Sequence, residues 1–195
     1  MVYNCSLLDY ESNTKNTEFD MAKYFDKYPY KLHNFQKWAI EGIVTGNHVL
    51  VTAPTGSGKT LPGEFAITHL FNSGGKTIYC SPIKALSNQK FHDFSVAYPH
   101  IKFGLITGDI KMNPDADVLI MTTEILKNKL AEWKYGQKND NLTKTNNTNF
   151  DLDIDNELKC VIFDEIHMIN DVDRGHVWEQ CLMQLPKNIQ IIGLS

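Results

Sequence analysis

Eight residues, Ala53-Pro54-Thr55-Gly56-Ser57-Gly58-Lys59-Thr60, follow directly on the apolar run His48 to Thr52 and lead into a stretch of helical pattern beginning at Lys59. A glycine-rich turn between a strand and a helix constrains a fold strongly, because the helix must start where the strand ends, with its free N–H groups facing the turn. Gly56 and Gly58 let backbone N–H groups turn inward around phosphate oxygens, and the helix N-terminus adds partial positive charge. Lys59 is placed to reach β and γ phosphates, and Thr60 can ligate Mg²⁺. Thr55 and Ser57 complete the cradle, while Ala53 stands where the strict pattern has its first glycine.

The same strand-then-helix rhythm recurs along the chain. It predicts a helix near Asn34 to Val44, strands at His48 to Thr52 and Thr77 to Cys80, a helix near Ala85 to Ala97, and strands at Lys102 to Ile106 and Val118 to Met121. A helix from Glu124 and strands at Cys160 to Phe163 and Ile189 to Gly193 complete the series. Repeated β-α units with strands that are apolar throughout imply a mostly parallel sheet covered by helices on both faces. Two stretches fall outside the rhythm. Residues 1–28 are polar with scattered aromatics and no sustained period, and are expected to form a loosely docked N-terminal arm ahead of an α/β domain at 29–195. Residues 137–156 are dense in Asn, Asp, Thr and Lys and are expected to be a disordered insertion.

A second constellation matches the first. Asp164-Glu165-Ile166-His167 follows the apolar run Val161-Ile162-Phe163, so its acids emerge at the carboxyl end of a central strand, the edge where open α/β sheets bind ligands. Asp164 would hold Mg²⁺ through its water shell, and Glu165 would orient or deprotonate a water attacking a γ-phosphate. Taken by itself, either string has a plain reading as a glycine turn or a solvated strand end. Their joint occurrence in one domain favours an ATP and Mg²⁺ site.

Bulk properties narrow the classes further. With 195 residues, 42% hydrophobic and 22% charged, the chain has enough material for one sizeable core. No apolar run approaches the length of a membrane span, so no membrane partner is expected. The four cysteines, Cys5, Cys80, Cys160 and Cys181, form no CxxC pair, and neither a zinc site nor a disulfide framework is indicated. The triplets at Asn4, Asn141 and Asn146 read as chance sequons. A net charge of -4 means that a nucleic-acid contact cannot rest on a broadly basic surface and must use local backbone and side-chain groups.

Together, APTGSGKT, SPIKALSNQK (Ser81 to Lys90), GLITGDIKMNP (Gly104 to Pro114), MTTEIL (Met121 to Leu126), FDEIH and the final LS resemble the superfamily-two DExH-box helicases, and among them the superkiller-type RNA helicases that work with the RNA exosome. The resemblance runs from about Tyr30 to Ser195 outside the Asn-rich stretch. It implies a RecA-like three-layer sandwich with a mostly parallel central sheet and helices on both faces, the first of two such domains, the second being absent from this chain. It also implies ATP and Mg²⁺ as cofactors, with Lys59, Asp164, Glu165 and His167 catalytic and Thr60 and Asp164 at the metal. Gln36 matches the adenine-sensing element, with Tyr30 or Phe35 available to stack on the base. Phe35 reads equally well as part of the buried stripe of its helix, with Trp38, Ala39, Ile40 and Ile43.

The family's backbone-gripping motifs match at Pro82, Lys84 and Ala85, at Thr107, Gly108 and Asp109, and at Thr122 and Thr123, continuing into Glu124. The implied partner is single-stranded nucleic acid, RNA favoured by likeness alone, because phosphate contacts carry no base information. A second RecA-like domain, in cis or in trans, is the other implied partner. The expected setting is intracellular: cytoplasm, nucleus, or a viral factory if the chain is virus-encoded. Two other readings stay open at this point, a DNA helicase domain and a stand-alone nucleotide-dependent binding module.

Overall fold

The computed structural model describes residues 4–5, 9–13, 20–136 and 150–195. Two short helices, α1 (Tyr10–Asn13) and α2 (Ala22–Phe25), precede α3 (Asn34–Val44). Then come β1 (Val49–Val51), α4 (Leu61–Phe71), β2 (Lys76–Ser81), α5 (Lys84–Ala97), β3 (Phe103–Ile106), β4 (Lys111–Met112) and β5 (Val118–Thr122). The chain continues with α6 (Thr123–Gly136), β6 (Leu158–Phe163), a 3-10 helix (Ile166–Asn170), α7 (Gly175–Gln184) and β7 (Gln190–Leu194).

The strands form one sheet in the order β1-β7-β6-β2-β5-β3-β4. Every pair is parallel except β3 with β4. The expected RecA-like architecture is therefore present. The middle of each central strand is apolar because both of its faces are covered. Tyr79, Ile120 and Ile162 pack on one side with Ile40 of α3, Phe65 of α4 and Phe94 of α5. Their neighbours Ile78, Cys80, Leu119, Met121, Val161 and Phe163 pack on the other side with Leu126 and Leu130 of α6 and Trp178 of α7. Successive side chains point to opposite faces, so in the middle of a strand between two helical layers both faces select apolar residues, and the buried polar ones, Thr77, Ser81, Thr122 and Gln190, sit at or near strand ends. No helix among the described residues is long and apolar enough to cross a membrane.

Several expectations need correcting. The N-terminal arm, in its described part, is docked: the buried ring of Tyr10 lies edge-on between Phe25 and Trp38, at 5.3 and 4.8 Å, and the Lys37 ammonium donates to Glu11 at 2.6 Å. Scattered aromatics without a period suffice here, because they fill gaps against a helix already in place. The Asn-rich stretch also ends sooner than its composition suggests. Positions 137–149 lie outside the described residues, but Phe150, Leu152 and Ile154 are buried in the core beneath α6 and α7. Their apolar side chains alternate with Asp151, Asp153 and Asp155, and the polar average hides them. Helix α4 begins at Leu61 rather than Lys59, with Pro62 in its first turn, where a missing N–H costs nothing. The antiparallel β4, the 3-10 helix and α7 have no counterpart in the sequence reading.

Candidate nucleotide and nucleic-acid edge

All the motif residues after β1, β2, β3, β5 and β6 leave the sheet at its carboxyl edge, and the strand order divides that edge in two. The ends of β1, β7 and β6 stand side by side and carry the glycine loop, Ser195 and Asp164-Glu165. The ends of β2, β5 and β3 stand next to them in that order and carry Pro82-Lys84, Thr122-Thr123 and Thr107-Asp109. Residues scattered over more than a hundred positions of sequence become two adjacent groups because parallel strands all end on the same side. A surface hollow lined by His48, Lys159, Lys187 and Gln190 opens at the opposite, amino edge, away from every one of these residues.

Gly56 and Gly58 both take φ of +81°, the left-handed region that side chains avoid. A Cβ at Gly58 would also come within 2.7 Å of Gln36 Nε2. The Ser57 hydroxyl donates to the Pro54 carbonyl at 2.6 Å, closing the turn, and the loop from Thr55 to Gly58 is largely exposed. Gln36 is buried; its Nε2 donates to the Gly58 carbonyl at 3.1 Å and its Oε1 accepts from the His33 N–H at 2.9 Å. It is fixed against the loop at the foot of α3. Phe35 is half-buried against the core beside Ala39 and Ile40, and its ring stacks on His33 at 6.0 Å, while Tyr30 is exposed.

Lys59 Nζ lies 3.3 and 3.4 Å from the two Glu165 oxygens, the ion pair that joins the two motifs. Thr60 is the N-cap of α4, and its hydroxyl makes no cap hydrogen bond. Asp164 is only 7% exposed; its Oδ2 accepts from the Tyr79 phenol at 2.7 Å and its Oδ1 from the Glu165 N–H at 3.0 Å. Burial, reinforced by the Asp164 charge, pushes the Tyr79 phenol well above its ordinary pKa, so it remains a neutral donor. Glu165 itself has φ of +50°, a conformation that costs a non-glycine residue on the order of 1–3 kcal/mol. That turn swings its carboxylate toward Lys59 and lets the 3-10 helix begin. His167 Nδ1 lies 3.3 Å from Glu165 Oε2 and 3.3 Å from the Ser195 hydroxyl, linking the acids to the end of β7.

On the other half of the edge, Lys84 is exposed and paired with Asp109, and Gly108 passes beneath its ammonium. Ala85 is exposed in the first turn of α5, and Pro82 is buried. Thr107 is buried, its hydroxyl accepting the Ile110 N–H at 3.2 Å within the turn. Thr122 and Thr123 are buried as well, and the Thr123 hydroxyl turns inward to the Ser81 carbonyl at 3.5 Å. The Thr107 and Thr123 hydroxyls are thus used inside the protein, and what these two positions can offer a ligand is backbone.

Sequence reasoning missed two residues that hold this arrangement. Tyr79 sits within an apolar run and gave no polar signal. Arg174 lies in an acidic turn, and its partners Pro82 and Glu124 are far away in sequence. Among the described residues no group of three or more His, Cys, Asp or Glu could hold a metal by itself.

The sequence model of the DEAD/DEAH box helicase family matches residues 33–195, and the chain belongs to that family. Within it, the superkiller-type resemblance is borne out by individual relatives. The chain is 44% identical over 168 residues to the antiviral helicase SKI2 of Saccharomyces cerevisiae, covering 86% of this chain and 12% of that protein. It is likewise 44% identical over 161 residues to the Superkiller complex protein 2 of Homo sapiens, covering 83% of this chain and 11% of that one. Among solved structures it is similar to the Mycobacterium smegmatis helicase Lhr bound to ssDNA and AMP-PNP, with a TM-score of 0.60 and 26% identity over 91% of this chain and 24% of that chain. The chain thus spans about an eighth of the length of the SKI2 relative it matches.

Proposed function

We propose that the chain is the N-terminal, ATP-binding motor domain of an ATP-dependent RNA helicase of the DEIH class, which holds Mg-ATP on the β1-β7-β6 half of the carboxyl edge and the backbone of single-stranded RNA on the β2-β5-β3 half. The observation that carries this reading is the division of one sheet edge into a phosphate-loop and carboxylate group beside a row of helix starts and turns. Thr60 and Asp164 would hold Mg²⁺, which neutralises charge on the β and γ phosphates when bound. Lys59 would exchange its Glu165 partner for phosphate oxygens, freeing Glu165 to orient or deprotonate the attacking water. Gln36 would report on the adenine edge from its place against the loop, and His167 with Ser195 would connect the reacting end to β7.

RNA is favoured over DNA because a further relative, 38% identical over 176 residues, is named the DExH-box ATP-dependent RNA helicase DExH15 chloroplastic of Arabidopsis thaliana. The ssDNA in the Lhr structure is the observation that favours the DNA alternative. A second RecA-like domain, in cis or in trans, would close over the nucleotide and supply arginine fingers, worth about 10³ to 10⁵ in rate.

The test is steady-state phosphate release with poly-U RNA and with oligo-dT, for the chain Met1–Ser195 and for a form carrying a second motor domain. The reading requires negligible turnover from the chain by itself and RNA-stimulated turnover from the two-domain form. Glu165→Gln should abolish that turnover while Mg-ATP still binds. Strong RNA-stimulated turnover from the monomeric chain would refute the two-domain requirement, and stimulation by DNA alone would select the DNA reading.

A further inference from the structure

Arg174 stands at the N-terminus of α7, on the far side of the 3-10 helix from Glu165, yet its guanidinium reaches across to the other half of the edge. Nη2 donates to the Pro82 carbonyl at 2.6 Å and to Glu124 Oε1. These acceptors belong to two helix starts, the turn before α5 and the first turn of α6, which stand side by side because Ser81 of β2 pairs with Thr122 of β5. The indole of Trp178, fully buried, lies beneath the guanidinium at 5.8 Å. The backbone of Arg174 is fixed in turn: its N–H donates to Asp171 Oδ1 at 2.8 Å, and the Asp171 N–H donates to the Met168 carbonyl at 3.0 Å. The Met168 N–H then donates to the Glu165 carbonyl at 3.0 Å. An unbroken series of hydrogen bonds runs from Glu165 to both loops.

Both hydrogens on Nη2 are spent on protein acceptors, so this corner of the guanidinium is not offered to a phosphate. Burial works to raise the Glu124 carboxyl, but the Arg174 hydrogen bond and charge, with smaller contributions from its own N–H and from Thr122, hold it below its ordinary pKa. Glu124 is therefore an anion at neutral pH, set beside a track meant for another anion, and the guanidinium is what neutralises it.

We infer that Arg174 is a positioning residue for nucleic acid: it clamps the Pro82 and Glu124 loops at the spacing a single-stranded backbone requires, and it ties that spacing to the turn that carries Glu165. The inference rests on the nucleic-acid reading of the β2-β5-β3 edge. Charge-assisted hydrogen bonds of this kind are the strong ones, and a guanidinium fork fixes direction as well as distance.

The experiment is fluorescence anisotropy of labelled oligo-U binding to the chain Met1–Ser195 over a range of salt concentrations, with Mg-ADP titration and hydrogen exchange on the same samples. Arg174→Gln should weaken oligo-U about tenfold, the scale of one lost charge-assisted bond. The slope of log K against log salt and the Mg-ADP affinity should stay as in the wild type, while amides of residues 83–86 and 123–126 exchange faster. Glu124→Ala is the second variant. Removing a negative charge beside the track would by charge alone tighten oligo-U, whereas loss of one anchor of the clamp weakens it, and weakening is the expected result. A salt slope shallower by about 0.7 in Arg174→Gln would make Arg174 a direct phosphate contact and overturn the inference. So would unchanged binding and exchange, tighter binding by Glu124→Ala, or loss of Mg-ADP together with oligo-U. Failure of the underlying reading shows separately, as a wild-type chain that binds Mg-ADP but neither oligo-U nor oligo-dT, and it removes this inference with it.

Discussion

Tyr79→Phe removes one oxygen atom from the centre of the sheet and should be felt in both stability and metal use. The phenol is 0% exposed and donates to Asp164 Oδ2 at 2.7 Å, with its ring packed edge-on against Phe94 at 5.3 Å. Phenylalanine keeps the ring and its packing, so the change isolates the hydrogen bond. A bond from a neutral donor to a charged acceptor is worth about 1.5–3 kcal/mol, and the buried carboxylate that loses it has little water to turn to. For a domain of this size each kcal/mol moves Tm by about 2–4 °C, so the melting temperature followed by circular dichroism should fall by about 3–12 °C. The second consequence concerns direction. Asp164 keeps only the Glu165 N–H on Oδ1, and an unanchored carboxylate presents a metal with several orientations where one is wanted. With Asp164 in the proposed role of Mg²⁺ ligand, losing an outer partner of this kind typically costs about 10–100-fold in metal affinity, which would be read as a higher Mg²⁺ concentration needed to support ADP binding in calorimetry. A melting temperature within about 1 °C of wild type would refute the first step. An unchanged Mg²⁺ requirement with a lowered Tm would refute the second and leave the hydrogen bond a purely structural one.

Two further outcomes follow from the site and from the core. Lys59→Ala should reduce Mg-ADP affinity below detection in a calorimetric titration while the far-ultraviolet spectrum stays that of the wild type, because Lys59 sits at the end of a loop and its ammonium is paired with Glu165; undiminished affinity would sink the phosphate-loop assignment. Ile154→Ala should cost about 2–5 kcal/mol in denaturant unfolding, since Ile154 is only 1% exposed and packs in the layer beneath α6 and α7, and a loss under about 0.5 kcal/mol would return this residue to the surface insertion.

The sequence showed most of the sheet, because buried parallel strands must be apolar on both faces and such runs are hard to mistake. The glycine loop and Asp164-Glu165 were legible for a related reason: each follows one of those runs directly, and its chemistry lies in consecutive residues. What stayed hidden depends on contacts between distant positions. Tyr79 looks like one more large side chain in a strand until the sheet places its hydroxyl on Asp164. Arg174 looks like a surface charge until α7 brings it to Pro82 and Glu124. The inward turn of the Thr107 and Thr123 hydroxyls is similarly invisible, since a threonine at a strand end suits a ligand, an N-cap or an internal hydrogen bond equally well. Composition misled most at residues 150–156, where three apolar side chains are diluted by the acidic and amide residues around them.

Helix α6 begins at the carboxyl edge with Thr123 and runs for 14 residues to Gly136, which carries the chain about 21 Å along the helix axis to the far side of the sheet. The Phe150 carbonyl accepts from Lys129, midway along α6, and β6 starts at Leu158 on the far side. The end of α6 at Gly136 therefore lies on the side remote from both halves of the carboxyl edge. A fluorophore or an affinity tag attached at that end of α6 would start from the side opposite the glycine loop and Asp164-Glu165, which makes it the natural point from which to tether the protein to a surface for binding measurements.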